Sequence, residues 1–436
     1  MERPTGLPSG GALSEATFDQ LVKDGVLQSS DCAESWNLSE VASLVFSKTE
    51  SQKVMVDRFP KNKMSRAKPN KGHKLLVALM AEHSISYVLN LNYDLAIQNA
   101  VTEMGLSTEV LSVETSGIAV TANPTIIHLH GCINCPPDEL VMRTEALDDE
   151  WRNNWEQLIA TQVLAAPNIL FSGLGSPAPV LSETINVIRQ AIGENKPIYQ
   201  SDIAERSVNQ FAGALAVTEE NYIQGGWSQT MELLSNRLKI ELVDELKSSG
   251  QTLLENNGHA PEDVAKFQTL AETFKNLSLL DIGKFRANLY LDVDCEYRPD
   301  TKFDEKLEVY PLLKLLKGAE LGGYELSPVS GGVWSLRNDG AVLGNVLLVS
   351  GMGSKSLPAI EKSITEVRES LSENRGIELS VVIAGGVNDV TLAGQMVDII
   401  DAEVAEDILD GPRPPAVFST SQPDFETNFV DWLSDD

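Results

Sequence analysis

Three short stretches place polar or flexible residues directly after apolar runs: Asn90-Leu91-Asn92-Tyr93-Asp94, His128-Leu129-His130-Gly131, and Ser172-Gly173-Leu174-Gly175-Ser176-Pro177. Their residue types define what chemistry they can do. A side-chain amide fixes sugar hydroxyls or a water molecule. An imidazole that titrates near neutrality accepts a proton from a hydroxyl, and glycines let the backbone approach a ligand closely. A strand built on Tyr87, Val88, Leu89 and Leu91 closes normally with one or two turn residues. Asn90, Asn92 and Asp94 supply three polar side chains at period 2, so something polar is expected to be held there.

The flanking elements say how such residues are positioned. Residues 73–82 (HKLLVALMAE) have helical spacing and lead into a strand over 86–91. A helix from about Leu95 to Met104 follows, then strands over 109–113 and 125–130. A helix over 151–165 precedes the apolar strand 168–172, and a helix from about Val180 to Ile192 precedes a strand over 197–200. Short apolar strands bounded by Gly and Pro, with helices between, predict a doubly wound, mainly parallel, Rossmann-like α/β sheet over residues 1–243. Ligands of such sheets sit at the carboxyl ends of the strands, where all three polar stretches fall.

The texture then changes. Residues 244–284 read as helical, 285–297 alternate like a half-exposed strand, and Asn338-Asp339-Gly340 marks a hairpin inside 324–351. A helix over 357–374 and a strand over 378–384 complete an α+β domain of unknown role over 244–410. Gly351-Met352-Gly353-Ser354-Lys355-Ser356 looks like a phosphate turn but lacks the required spacing; it and the AGGVND stretch (384–389) are expected to be loops without a ligand. Residues 411–436 form an acidic tail, a linker ending in an amphipathic segment whose Phe425, Phe429 and Trp432 dock on their own domain or on a partner.

Composition narrows the function classes. At 436 residues the chain is too long for one ordinary core. The net charge of −29 argues against direct nucleic-acid binding and against an anionic membrane surface. It serves solubility, or complements a basic partner protein. No stretch approaches the about 20 apolar residues that span a bilayer, and the opening MERPTGLPSGG has no secretory h-region. The expected localisation is cytoplasmic, and Cys32, Cys132, Cys135 and Cys295 do not suggest a disulfide framework.

The three stretches, in this order and spacing, resemble the SIR2 superfamily. LNLNYD is similar to the family's Thr-x-Asn-x-Asp segment, with Asn90 in place of Thr. IHLHG is similar to its Leu-His-Gly segment and FSGLGSP to its Gly-x-Ser strand end. The run GHKLLVALMAEHSISYVLNLNYDLAI resembles the family's His-x-x-Leu run into the first segment; IYQSD and YIQGGWSQTMELLSNRL resemble the domain's end. The resemblance covers about residues 3–240 and is closer to the SIR2-like NAD+ hydrolases of bacterial antiphage systems than to protein deacylases. It implies Asn92 and His130 as a catalytic pair, the amide orienting the nicotinamide ribose or attacking water, the imidazole accepting a proton. It further implies NAD+ as substrate, with Asn90, Asp94, Gly131, Gly173, Leu174 and Ser176 in the nucleotide site. Asp94 also reads as a helix-capping carboxylate, and His128 is expected in the core.

Two departures from the family pattern matter. Deacylase sirtuins follow His-Gly with two Cys-x-x-Cys pairs that hold a structural zinc; here Cys132-Ile133-Asn134-Cys135 stands alone. A site from His128, His130, Cys132 and Cys135 would consume His130, so no metal is expected and the cysteines read as small buried residues. The family's opening strand and Gly-Ala-Gly-x-Ser turn are also missing, and TGLPSGG resembles the family's segment just after that turn. Either the sequence starts late, or a partner chain or second copy supplies the strand, or Gly6, Gly10 and Gly11 replace the loop. The resemblance implies an NAD+ hydrolase effector activated through a partner protein from the same operon or by homo-oligomerisation. The alternative is a catalytically inactive scaffold or nucleotide-sensing module that binds a partner.

Overall fold

A computed structural model of the chain describes residues 6–104, 106–107, 110–113, 123–146, 168–175, 185–186, 197–256, 260–280, 309–330, 333–338, 341–349, 381–384, 416–419 and 424–435. The chain divides into two compact units, Met1–Ser235 and Asn236–Asp436. Several expected elements lie outside the described residues: the helices over 151–165 and 357–374, most of that over 180–192, the strand over 285–297, and the 351–356 turn.

The described residues of the first unit hold six short strands: β1 Tyr87–Asn90, β2 Leu111–Val113, β3 Thr125–His128, β4 Ile169–Ser172, β5 Ile198–Asp202 and β6 Tyr222–Gln224. All pairing is parallel, in the orders β1-β3-β2 and β4-β5-β6. The α/β class expected from sequence is therefore present, with the described strands in two three-stranded sheets. Ile127 and Leu129 from the first share one apolar cluster with Ile169 and Ile198 of the second and with Phe211 of the helix Gln210–Ala214. Burial differs by position in the sheet. Interior β3 is buried at every residue, whereas Tyr87, Val88 and Leu89 on edge strand β1 and Leu170 and Phe171 on edge strand β4 are half-buried.

Helices brace the strand ends. Asn70 and His73 form a reciprocal cap on the helix Lys71–Ala81, the Asn70 Oδ1 accepting the His73 N–H at 2.9 Å and His73 Nδ1 accepting the Asn70 N–H at 3.2 Å. That helix is buried continuously from Leu75 to Ala81 and delivers the chain to β1. Ahead of it, Ser9 caps Gly10–Lys23 and Asn37 caps Leu38–Thr49. Their core residues Leu21, Val41 and Val45 join Met55, Cys132, Ile133 and Cys135, with Tyr93 and Leu95 packed against the group. The helical N-terminal part thus supports the loops that follow β1 and β3.

The described strands of the second unit form a five-stranded mixed sheet, in the order β11-β10-β9-β8-β7, from β7 Glu325–Ser330, β8 Val333–Asn338, β9 Ala341–Val349, β10 Val381–Ala384 and β11 Ala416–Ser419. β7, β8 and β9 are antiparallel neighbours, while β9, β10 and β11 run parallel. Asn338 pairs with Ala341 across the hairpin expected at Asn338-Asp339-Gly340. Trp334, Leu336 and Val346 line one sheet face and share a core with Leu315 and Ala319 of the helix Val309–Leu321 and Phe425, Phe429 and Leu433 of the helix Phe425–Asp435. A Cβ at Gly318 would lie 2.9 Å from Phe429 Cδ1, so the glycine lets the two helices meet. The end of the chain therefore packs on its own domain. Residues 416–419, read from composition as linker, form an edge strand because Ala416-Val417-Phe418-Ser419 can pair with β10 and bury Phe418 against Phe425, Phe429 and Trp432.

Candidate active site

The loops after β1 and β3 are tied together by side chains rather than by strand pairing. Register puts Asn90 opposite His128, and the Leu129 N–H continues the ladder onto the Asn90 carbonyl at 3.1 Å. There the strands end, earlier than the sequence suggests for 125–130, because the chain turns: the Gly131 N–H donates to the His128 carbonyl at 3.2 Å. Two imidazoles then take over from the ladder. His128 Nδ1 lies 3.0 Å from the Asn92 carbonyl oxygen, and His130 Nδ1 lies 3.1 Å from that of Leu91. A carbonyl only accepts, so each Nδ1 carries the proton and each Nε2 the lone pair.

Asn90 completes the arrangement from the other side. It is buried, and its Oδ1 accepts the Asn92 N–H at 3.0 Å. Both peptide groups flanking the Asn92 Cα are thus held by side chains, and Asn92 itself is exposed. The unusual run of polar residues after β1 has its explanation here: Asn90 holds the loop, and Asn92 is what the loop presents. Asp94 starts the next helix, its Oδ1 accepting the Ala96 N–H at 2.9 Å ahead of Ala96–Glu103. Burial lowers the pKa of the nearby His73, and the Asp94 carboxylate partly opposes that.

Electrostatics distinguish the site's aromatic and imidazole groups. His130 keeps some exposure as a residue, yet desolvation of its ring pushes its pKa down to about 4, with the Leu91 carbonyl acting in the other direction. At neutral pH the ring is unprotonated, the form a proton acceptor needs. Tyr93 packs beside it, ring centroids 6.0 Å apart, and donates its hydroxyl to the Val141 carbonyl at 3.1 Å; burial raises its pKa well above the usual phenol value. Gly131 has φ +76, and a Cβ there would sit 3.0 Å from Leu140 Cδ2, so the turn after His130 needs glycine. Cys132 and Cys135 are buried, their sulfurs 3.8 Å apart, and the Cys135 Sγ accepts the Cys132 N–H at 3.4 Å. Among the described residues no group of three or more His, Cys, Asp or Glu side chains could hold a metal ion.

The end of β4 is built on amides. Gly173 has φ +74 and donates its N–H to the Ser201 carbonyl at 3.0 Å, and among the described residues nothing lies within 4 Å of where a Cβ would be. The Leu174 carbonyl accepts from Gln200 Nε2 at 2.6 Å and from Asn209 Nδ2 at 3.2 Å. Gln200 also donates to Asn209 Oδ1 at 3.0 Å, while its own Oε1 is buried without a partner. Ser176 lies outside the described residues. Leu174 and Leu91 pack on the same apolar cluster, which places both turns on one core.

The structure therefore joins Asn90, Asn92, His128 and His130 in one hydrogen-bonded lattice, with Asp94 at the adjoining helix start and Gly131 at the adjoining turn. Gly173 and Leu174 stand at the neighbouring sheet's strand end. Gln98, Gln200 and Asn209 were not singled out from sequence. The polar Gln200-Ser201-Asp202 run closing an apolar strand was the available signal for the second of these; Gln98 sits inside a helix and offered none.

Polar side chains at the carboxyl ends of parallel strands stand where α/β sheets bind their ligands. Residues 86–221 match the family model of a SIR2-like domain, from the residue before β1 to the residue before β6. That stretch of the chain is a SIR2-like domain of the SIR2 superfamily, a superfamily of NAD-related enzymes. No curated protein matches the chain. No helix among the described residues is long and apolar enough to cross a membrane.

Proposed function

We propose that the first unit is an NAD+ hydrolase that releases nicotinamide and ADP-ribose, acting in the cytoplasm as the effector of a bacterial antiphage system. The observation that carries this reading is the lattice at the ends of β1 and β3. It presents the Asn92 amide one residue beyond a carbonyl held by the unprotonated His130 ring, inside the stretch that matches a SIR2-like domain. In the reaction the bond between ribose C1′ and nicotinamide breaks, and its electron pair leaves with the nicotinamide nitrogen, discharging the pyridinium. A water oxygen closes on C1′ and gives its proton to His130 Nε2. Asn92 orients the ribose or the water. An oxocarbenium-like ribose reacts readily with water, so a weak base suffices; keeping the ring unprotonated matters more than making it strongly basic. Gly173 and Leu174 line the adenosine side.

Activity is gated by a partner protein from the same operon or by a second copy. Among the described strands β1 and β4 lie at sheet edges and carry half-buried apolar residues, which supports this, because such edges accept an added strand. Unregulated NAD+ loss would also kill the host. The test is to reconstitute the chain with its operon neighbours and follow NAD+, nicotinamide and ADP-ribose. The expected result is turnover that Asn92→Ala and His130→Ala both abolish. Undiminished turnover in those variants would reject the assigned roles, and NAD+ bound but never cleaved would favour the scaffold reading.

A further inference from the structure

His128 is an anomaly in β3. The strand is buried at all four residues, and the side chain is fully shielded from water, where a polar ring is tolerated only if its nitrogens are satisfied. One contact faces the Asn92 carbonyl, Nδ1 to oxygen at 3.0 Å. The other joins Nε2 to the Gln98 side-chain nitrogen on the helix Ala96–Glu103. A neutral ring that donates from Nδ1 accepts at Nε2, which sets the Gln98 amide nitrogen toward it and leaves the Gln98 Oε1 buried without a partner. The ring thus receives a hydrogen bond at Nε2 and gives one at Nδ1. This fixes its tautomer and aims a single N–H at the peptide that leaves Asn92.

We propose that His128 is a positioning residue for the hydrolysis, setting the direction in which the Asn92 amide leaves its loop. Gln98 donates to His128 Nε2, His128 holds the Asn92 carbonyl, and Asn90 holds the Asn92 N–H. Without the His128 bond the 92–93 peptide is no longer anchored, and the Asn92 Cα, then held from its N–H side alone, no longer gives the side-chain amide a fixed origin. His130 would be undisturbed, since its own bond runs to Leu91. The inference rests on the NAD+ hydrolase reading, and it assigns to His128 a role distinct from the proton acceptor beside it.

The test separates the two ring nitrogens. Asparagine places a donor near the position of Nδ1, and glutamine places one near that of Nε2. In the reconstituted complex, His128→Asn keeps kcat within about threefold of wild type, while His128→Gln lowers kcat about 10²-fold, the cost expected of misplacing a positioned group. KM changes little in either, and the pH profile keeps the acidic limb set by His130. Both variants lose the same imidazole packing, so a purely structural role predicts equal losses. Equal kcat values, or wild-type kcat in His128→Gln, would overturn the proposal. An independent readout is the 15N spectrum of the histidine-labelled chain, which should show His128 protonated at Nδ1 and bare at Nε2; the opposite tautomer also overturns it. If wild-type complex never cleaves NAD+, the hydrolase reading has failed. The clamp is then judged on that tautomer and on the Asn92 carbonyl 13C shift, which should keep its hydrogen-bonded value in His128→Asn and lose it in His128→Gln.

Discussion

The two strand-end turns of the first unit are built by the same device with different chemistry. After β1, buried side chains from the neighbouring strand's end capture loop carbonyls: His130 takes that of Leu91 and His128 that of Asn92. After β4, Gln200 and Asn209 together capture the Leu174 carbonyl. Geometry alone makes the turns equivalent, since each is a backbone oxygen held by a side-chain donor. What differs is that imidazoles can move a proton and amides cannot. One turn therefore carries groups able to transfer a proton, and the other carries amides alone.

The largest expected effect breaks the symmetry at its reactive side. His130→Ala should lower NAD+ turnover about 10²- to 10⁴-fold, roughly 3–5 kcal/mol in the barrier, with turnover measured in the reconstituted complex. The matching change after β4, Gln200→Leu, should leave kcat within a few-fold and raise KM instead.

The next prediction uses pH, because only the imidazole turn titrates. The His130 pKa is lowered to about 4 on folding, so between an unfolded value near 6.5 and pH 4 the unfolded chain binds a proton that the folded chain does not. Stability therefore falls as pH drops through that window, by at most about 3 kcal/mol from this ring, and His73 adds in the same direction. Denaturant midpoints from pH 7 to pH 4 should slope accordingly, and His130→Asn should flatten the slope. Gln200→Leu should leave the slope unchanged while costing about 0.5–1.5 kcal/mol at every pH, since it removes one of two donors to the Leu174 carbonyl and one of two to the Asn209 oxygen.

Smaller effects sharpen the comparison at the glycines. Gly131→Ala meets both a left-handed backbone and Leu140 at 3.0 Å, and should cost about 1–3 kcal/mol in thermal or denaturant unfolding. Gly173→Ala shares the backbone strain but meets no described atom, so it should cost less stability and show itself in nucleotide affinity. Asp94→Ala, removing the bond to the Ala96 N–H, should cost about 1 kcal/mol.

Much of this site was legible because it lies where apolar runs stop. Asn90, Asn92, His130 and Gly173 each follow a strand whose hydrophobic pattern ends abruptly, and such ends in a parallel sheet form one surface. The division of labour was not legible. Asn90 and Asn92 are the same residue type two apart, and only coordinates show one amide turned back onto the loop and the other exposed. His128 could be read as a core residue, as its burial bears out, but its bond to Asn92 depends on register with β1. Gln98 is one polar residue in an amphipathic helix, with no local mark of its contact. At the chain's end, residues 416–419 lie between prolines and polar residues and look like linker, because the partner strand that makes them β-structure is more than thirty residues away.

The proposed hydrolysis requires Asn92 and His130 to act together on one sugar. A double-mutant cycle tests this most directly: NAD+ turnover of wild type, Asn92→Ala, His130→Ala and the double variant, each in the same reconstituted complex. Groups that serve one transition state are strongly non-additive, so the double variant should be no slower than the slower single. Losses that multiply, or a double variant as fast as wild type, would contradict it.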